Sequence, residues 1–287
     1  MVSIPVSDAH CHANPLGLGG FEIASKFKKA GGWFIALVSL PPHYYGFDLS
    51  TEGLLKAVDA HVRECRKARE AGIKVACIAG LHPALIDRLV KMLGPARADE
   101  VISKVENVLK YLGELRRNGI IDGFGEFGRP HYKTLPESVV VNEIILTKVF
   151  EILEDEGGVI HLHLEQGGAL TVRSIHIMLQ RHSVKPEGII FHHSTLKMIS
   201  EVRKYGYSAT LTGRKEVIKA AGRACAGALC MIESDYIDDP SRPGVVMYPW
   251  EIKEEVSTVL QEDSDIADII VGMLTENIAK IYTVEVP

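Results

Sequence analysis

Histidines and carboxylates recur along this sequence of 287 residues, in most cases where a short apolar segment ends. The side chains concerned are Asp8, His10, His12, Glu126, His161, His163, Glu165, His192, His193, Glu233 and Asp235. Imidazole nitrogens and carboxylate oxygens are the ligands that Zn²⁺ and similar divalent ions take, and catalytic sites keep one position for water. A carboxylate shared by two ions about 3.5–4 Å apart suits hydrolysis. The residue types therefore predict a hydrolytic metal centre.

The elements that must position these residues alternate along the chain. Short apolar or β-branched segments predict strands at residues 4–7, 33–40, 73–79, 121–127, 158–164, 188–193, 207–211 and 229–232. Helical patterns lie between them, for example at residues 51–70, 99–117 and 142–156, and a last helix begins near Asn277. Eight strands, each followed by a helix, predict an α/β fold, a (β/α)8 TIM-like barrel with one domain over residues 1–287. An open doubly wound sheet is the alternative, but no GxGxxG segment follows the first strand.

In a barrel the carboxyl ends of all strands open on one face, so residues from distant segments converge there. On the fifth strand we expect His163 at the open end and His161 one pleat repeat deeper, packed or hydrogen-bonded inside the barrel. On the sixth strand we choose His192 over His193, because adjacent residues of a strand face opposite sides. Cys11, between two candidate ligands, is expected to point away from the site.

Composition and charge exclude several other classes of protein. Hydrophobic residues make up 46% and charged residues 24% of the chain, which is ordinary for a globular protein. The net charge of −5 provides no overall attraction to nucleic acid or anionic lipid. The first five residues lack the features of a signal peptide, and no apolar run approaches the roughly 20 residues of a membrane span. We therefore predict a cytoplasmic protein with no membrane partner, whose oligomeric state stays open.

Five cysteines are present, at positions 11, 65, 77, 225 and 230, and none forms a CxxC pair. An odd number without that spacing predicts reduced, mostly buried thiols. The few glutamines weakly indicate a heat-adapted source, in which intracellular disulfides do occur. Whether Cys225 or Cys230 forms a disulfide therefore stays open.

Four motifs, in their order along the chain, resemble those of the TatD-like metal-dependent hydrolases of the amidohydrolase superfamily. They are DAHCH at residues 8–12 for the family's DxHxH, GLHP at residues 80–83 for GxHP, GEFG at residues 125–128 for GEIG, and ESD at residues 233–235 for ETD. The segment at residues 233–244 is most similar to the TatD-related branch that is common in archaea. The resemblance covers nearly the whole chain.

The resemblance implies a TIM-like barrel with one or two divalent metal ions, zinc first, with magnesium or manganese as alternatives. It implies a first ion held by His10, His12, Glu126 and Asp235. Glu126 would bridge to a second ion, which His163 and His192 would hold. Asp235 would also act as the catalytic base that takes the proton from the attacking water.

The sequence departs from the family pattern at three places near the predicted site. Arg129-Pro130 stands where the family usually has Leu-Asp, and Glu165 where it commonly has an arginine. The sixth-strand segment reads HHST instead of HxFSG. We assign Arg129 and Glu165 to substrate binding, with a structural ion pair as an equal alternative for Arg129.

These departures bear on the choice among substrates. At Glu165 an anion stands in place of the family's cation, and the loops around the site carry charges of both signs. Both features disfavour a long polyanion as substrate. The leading hypothesis is therefore a hydrolase of a small-molecule substrate or phosphoester, such as an amide, lactone or ester. A TatD-type deoxyribonuclease, with nucleic acid as substrate, is the alternative. A non-catalytic metal-binding scaffold is the alternative from another class.

Overall fold

The computed structural model describes residues 4–287, and residues 1–3, where the segment considered for a signal peptide begins, lie outside the described residues. Parallel strands form one sheet whose order follows the chain. The strands are β1 (Val6–Cys11), β2 (Gly32–Val38), β3 (Lys74–Ala79), β4 (Gly123–Gly128), β5 (Val159–His163), β6 (Ile189–Phe191), β7 (Ser208–Thr212) and β8 (Leu229–Glu233). The Asp235 N–H donates to the His10 carbonyl at 2.9 Å, and the His12 N–H donates to the Tyr236 carbonyl at 2.8 Å. These bonds join the chain after β8 to β1, so the predicted barrel is confirmed.

Helices connect successive strands and cover the barrel. They are α1 (Gly19–Lys29), α2 (Thr51–Glu70), α3 (Pro83–Leu93), α4 (Ala98–Arg117), α5 (Pro136–Glu156), α6 (Ala169–Leu179), α7 (Leu196–Lys204), α8 (Lys215–Ala221), α9 (Ile252–Glu262), α10 (Ala267–Leu274) and α11 (Glu276–Tyr282). The predicted helix at residues 51–70 agrees with α2, where the Ser50 hydroxyl caps the start by accepting from the Gly53 N–H at 3.0 Å. Shorter 3₁₀ helices lie at Pro42–Tyr45, Pro95–Arg97, Pro186–Gly188, Pro249–Glu251 and Ser264–Ile266.

Most strands end one or more residues away from the predicted position, and the differences at β1 and β6 concern the site. β1 extends to Cys11, so Asp8 and His10 lie inside the strand and not after it. β6 ends at Phe191, because the chain turns there, so neither His192 nor His193 belongs to a strand. The alternation of side chains between the two faces of a strand therefore holds along β1. It does not apply to His192 and His193, because both lie after the end of β6.

A disulfide joins Cys65 on α2 to Cys77 on β3, with the two Cα atoms 5.7 Å apart. The expectation that the thiols are reduced is thus wrong for this pair, which packing of α2 on β3 brings together. The His61 ring lies against it, with Nε2 3.4 Å from the Cys65 sulfur, and we call these three buried residues the sulfur cluster. Cys11, Cys225 and Cys230 are free and buried, so neither Cys225 nor Cys230 forms a disulfide.

None of the helices between residues 4 and 287 is both long enough and apolar enough to cross a membrane.

Candidate metal centre

β1 and the turn after β8 are tied together at the open end of the barrel. Asp8 is fully buried, and one carboxylate oxygen accepts from the backbone N–H groups of His10, at 3.1 Å, and Ser234, at 2.9 Å. The other oxygen accepts from the Ser234 hydroxyl at 2.5 Å. Burial raises the pKa of Asp8 to about 7, although the bonds from Ser234 oppose that rise. This network sets β1 beside Asp235, whose backbone has the left-handed φ of 47°.

Four predicted ligands meet at this point. Glu126 Oε1 lies 3.1 Å from His10 Nε2 and 3.3 Å from His12 Nε2, and His12 Nε2 lies 3.6 Å from Asp235 Oδ1. Donors about 2.0–2.1 Å from a tetrahedral zinc ion would be about 3.4 Å from one another. The donor atoms of His10, His12 and Glu126 lie within 4.8 Å of one another and fit one ion of that size, with Asp235 at the edge of the group, beside His12.

A second group of donors uses the other oxygen of Glu126. Oε2 lies 2.7 Å from His163 Nδ1, yet neither atom has a hydrogen-bond partner among the described residues. His192 Nε2 and Glu233 Oε1 are likewise buried without such a partner there. Buried polar atoms without partners are costly. The donor atoms of Glu126, His163 and His82 lie within 4.8 Å of one another, so an ion there would satisfy Glu126 Oε2 and His163 Nδ1. The residues present therefore fit a second ion that shares Glu126.

His193 reaches the same centre as His192, so the expectation that one of the two points inward and the other away is wrong. His193 Nε2 lies 3.1 Å from Asp235 Oδ2, and His192 Nε2 lies 3.6 Å from Asp235 Oδ1. The Nδ1 atoms of both rings face Glu233, at 2.7 Å for His192 and 3.3 Å for His193. His193 has the left-handed φ of 53°, which turns its ring back over the barrel. Non-glycine residues in this region are uncommon, and here His193 contacts a second one, Asp235.

Sequence reasoning assigned no role to His82, although the GxHP motif contains it. Its Nε2 lies 3.6 Å from Glu126 Oε2, and its ring centroid is 4.4 Å from that of His163. His131, on the loop after β4, stacks on His163 with 4.8 Å between centroids. Both histidines follow the ends of predicted strands, which was the available signal. We name His10, His12, His82, Glu126, His163, His192, His193, Glu233 and Asp235 the mouth cluster.

Three carboxylates give the mouth cluster negative charge, which bound cations would neutralise. Burial lowers the pKa of His12, but the Asp235 and Glu126 carboxylates outweigh it and raise that pKa to about 10. In the same way, Asp235 and Glu233 overcome burial and raise the pKa of His193 to about 11. Burial opposes ionisation of Asp235, yet His12 and His193 hold its pKa well below the usual range. Divalent ions would supply the positive charge that these imidazoles otherwise carry as protons.

A cavity of about 300 Å³ opens above the cluster. The cluster's own His12, His82, His163 and Asp235 form its floor, and Leu40, Pro41, His43, Tyr44, Ala84 and Ile237 form its walls. No lysine or arginine lines it among the residues the structure describes. The cavity therefore offers a small, partly apolar space directly over the donors.

Arg129 and Glu165 bind each other and do not line this cavity. The guanidinium donates to both carboxylate oxygens, at 2.9 and 2.6 Å, and also to the Ser174 hydroxyl at 2.9 Å. The Arg129 side chain is nearly buried. The sequence left such a structural ion pair open as the alternative to substrate binding by Arg129. Contact of Arg129 or Glu165 with substrate stays a prediction.

The remaining predicted residues lie as follows. His161 is fully buried beneath the cluster, and the sequence placed it there. Its Nδ1 lies 2.9 Å from His10 Nδ1, and burial holds its pKa well below the usual range. Cys11 is buried and does not line the cavity, as expected.

Comparisons with known proteins agree with this geometry. The family model described as "TatD related DNase" matches residues 7–283, so the chain belongs to the TatD family. An uncharacterised protein of Methanocaldococcus jannaschii is 27% identical over 99% of this chain and 97% of its own length. The family and its hydrolase-fold relatives support a metal-dependent hydrolase over a non-catalytic scaffold.

Two solved structures show the same fold. The TatD-like protein of Archaeoglobus fulgidus has a TM-score of 0.62 at 20% identity, over 97% of this chain and 100% of its own. A phosphotriesterase-like lactonase mutant of Deinococcus radiodurans has a TM-score of 0.60 at 13% identity, over 97% and 96% of the two chains. At these identities the likeness extends to the barrel and not to a substrate.

Proposed function

We propose that this hydrolase binds one or two divalent metal ions at the mouth cluster and cleaves a compact ester, lactone, amide or phosphoester. The observation that carries the proposal is the convergence of buried donors without partners on a cavity of about 300 Å³. A substrate of a few rings or less fills such a space, whereas a duplex does not enter it. We keep the sequence-based prediction that the enzyme is cytoplasmic.

The donor atoms support a particular set of ligands. We assign His10, His12, Glu126 and Asp235 to one ion and assign Glu126, His163 and His192 to the other. Mixed imidazole and carboxylate donors suit zinc, whereas magnesium prefers oxygen ligands in an octahedron. Zinc is therefore the metal we propose first, with manganese as the alternative.

The chain's own residues supply the remaining parts of the reaction. A bound divalent ion would lower the pKa of water and polarise the oxygen of a carbonyl or phosphoryl group. Asp235 accepts the proton of the attacking water, because its carboxylate lies at the edge of the ligand group and is ionised at neutral pH. His193 contacts Asp235 Oδ2 at 3.1 Å and so orients that carboxylate. Leu40, Pro41 and Ile237 pack against the apolar part of the substrate.

The description of the family favours a deoxyribonuclease as the second candidate. A nuclease needs cations free to contact successive phosphates. Acidic side chains form ion pairs with four cations of the segments that follow β4, β7 and β8. Arg129 pairs with Glu165, Arg242 with Asp239, Arg214 with Glu251 and Glu255, and Lys215 with Glu262. This pairing favours the compact substrate.

The test combines metal analysis with a panel of substrates. Purified enzyme is assayed on small esters, lactones, amides, phosphomonoesters, phosphodiesters and duplex DNA, and its metal content is measured by mass spectrometry. His10→Ala should lose bound metal while the barrel stays folded, whereas Asp99→Asn, an exposed carboxylate on α4, should keep it. Wild-type protein without divalent metal after zinc or manganese loading would contradict the proposal. Faster turnover of duplex DNA than of every small substrate would favour the nuclease instead.

A further inference from the structure

A line of hydrogen bonds runs down the barrel from the mouth cluster. His10 Nδ1 lies 2.9 Å from His161 Nδ1, and His161 Nε2 lies 2.8 Å from the hydroxyl of Tyr282 on α11. His10 and His161 are fully buried, and Tyr282 lines a separate cavity that Gly157, Gly158 and Lys280 also line. We infer that His161 and Tyr282 are positioning residues that hold His10 in the tautomer that a metal ion requires. This inference rests on the proposed metal centre.

The protons available to these groups determine how the line works. His10 Nε2 is the atom that faces Glu126, at 3.1 Å, so it is the atom that would bind an ion. A nitrogen that binds an ion offers its lone pair, so the proton of neutral His10 is then on Nδ1. That N–H donates to His161 Nδ1, which leaves the His161 proton on Nε2, from where it donates to Tyr282. A neutral imidazole thus takes the place of the carboxylate or carbonyl that commonly accepts from a ligand histidine.

Without an ion, the hydrogen bonds between the same atoms run in the opposite direction. His10 Nε2–H then donates to Glu126, His10 Nδ1 accepts from His161 Nδ1–H, and His161 Nε2 accepts from the Tyr282 hydroxyl. Each imidazole has one proton in both arrangements, and Tyr282 keeps its own. Metal binding therefore moves the proton of His161 from Nδ1 to Nε2 and makes Tyr282 an acceptor.

The packing around His161 is built for this residue. The interior of such barrels is filled mainly by branched apolar side chains, so a fully buried histidine needs a specific partner on each nitrogen. Gly125, next to Glu126, has a φ of 152°, and a Cβ on it would lie 2.8 Å from the Cβ of His161. The Tyr282 ring is fixed by Phe34, with 4.8 Å between centroids. The absence of a side chain on Gly125 thus leaves room for His161 between His10 and Tyr282.

The first test measures zinc affinity by competition with a chelator. His161→Phe removes the acceptor of the His10 proton, and we expect its zinc affinity to fall about 10–100-fold, the usual effect of losing such a partner. Tyr282→Phe should give a smaller loss in the same direction. His176→Phe and Tyr207→Phe are the matched controls, because these two side chains form a similar histidine–tyrosine bond of 2.8 Å outside the site. The controls should bind zinc as the wild type does.

The second test needs no variant and is independent of turnover. Nitrogen-15 NMR of histidine-labelled wild-type protein should show the His161 proton on Nδ1 without zinc and on Nε2 with zinc. The same protonated nitrogen in both states, or unchanged zinc affinity in the folded His161 and Tyr282 variants, would overturn the inference and leave the metal centre standing. Wild-type protein that binds no zinc would overturn the metal centre itself, and the inference with it.

Discussion

The mouth cluster, with six histidines, and the sulfur cluster, with one, lie in the same barrel and differ in their electrostatics. In the mouth cluster, Glu126, Glu233 and Asp235 face the rings and raise the pKa of His12 and His193 far above the ordinary value. In the sulfur cluster, burial lowers the pKa of His61 to about 3, and the positive charge of His12 lowers it further. Burial alone therefore makes a histidine neutral, and only the histidines whose carboxylate contacts outweigh burial, His12 and His193, carry positive charge. Burial lowers the pKa of His82 to about 4 and that of His192 to about 3, although both also face a carboxylate.

The electrostatic difference between the two clusters also indicates that the mouth cluster serves the reaction and the sulfur cluster serves the stability of the fold. Carboxylates without cations are costly inside a protein, so the mouth cluster is suited to hold ions and substrate. A neutral His61 beside a disulfide, with its Nδ1 3.5 Å from the Tyr45 hydroxyl, needs neither. We therefore expect changes in the mouth cluster to alter turnover and metal binding, and changes in the sulfur cluster to alter the free energy of unfolding.

The largest expected effect is in the mouth cluster. Asp235→Asn removes the proton acceptor and one metal ligand, so kcat/KM on the best panel substrate should fall by a factor of about 10²–10⁴. The melting temperature should change little, which circular dichroism would check. Turnover near that of Asp99→Asn would show that Asp235 is not the base.

The next effect is in the sulfur cluster. The disulfide spans 12 residues, and bonds that close loops of this size contribute about 3 kcal/mol to the free energy of unfolding. Cys77→Ala should lose about this amount in urea titrations, and reductant should destabilise the wild type without affecting the variant. Metal content should stay unchanged in both. Additional bound metal in the reduced wild type would show that the sulfur cluster is itself a metal site.

A smaller effect concerns pH. The pKa of His61 is about 3 in the folded protein and 6.5 when unperturbed, so the unfolded chain binds the proton more tightly. Neutral His61 therefore contributes to the free energy of unfolding, and this contribution is fully present above pH 6.5 and is lost as the pH falls towards 3. By pH 5 the loss is about 2 kcal/mol. His61→Leu should remove this part of the pH dependence. The measurement is the change in the urea midpoint between pH 7 and pH 5, compared between the wild type and the variant. Parallel pH profiles for the two proteins would contradict the assignment.

The smallest expected effect tests the second histidine of the turn after β6. His193→Ala removes the contact with Asp235 Oδ2 and should lower kcat about tenfold, at the low end for residues that orient a metal ligand. His182→Ala, which removes a histidine paired with Glu154, is the control and should not change kcat. An unaffected His193→Ala would mean that His192 alone serves the centre, as the sequence predicted.

The barrel itself could be predicted from the sequence because its signals are local. Alternating apolar segments and helical patterns identified strands and helices, and α2 agrees with the prediction at residues 51–70. The ends of strands were predicted less accurately, since β6 stops at Phe191 whereas the predicted strand continues to residue 193. That difference of two residues decided whether one histidine or two reach the mouth cluster.

The sequence by itself determined the chemistry: imidazoles and carboxylates at the ends of strands, in an order that matches one family of hydrolases. The tertiary structure alone decided which of these groups face one another. It paired Arg129 with Glu165, joined Cys65 to Cys77, brought His82 to Glu126, and placed His161 between His10 and Tyr282. These contacts link residues on different strands and helices, and closure of the barrel sets their distances, so no local pattern in the chain could indicate them.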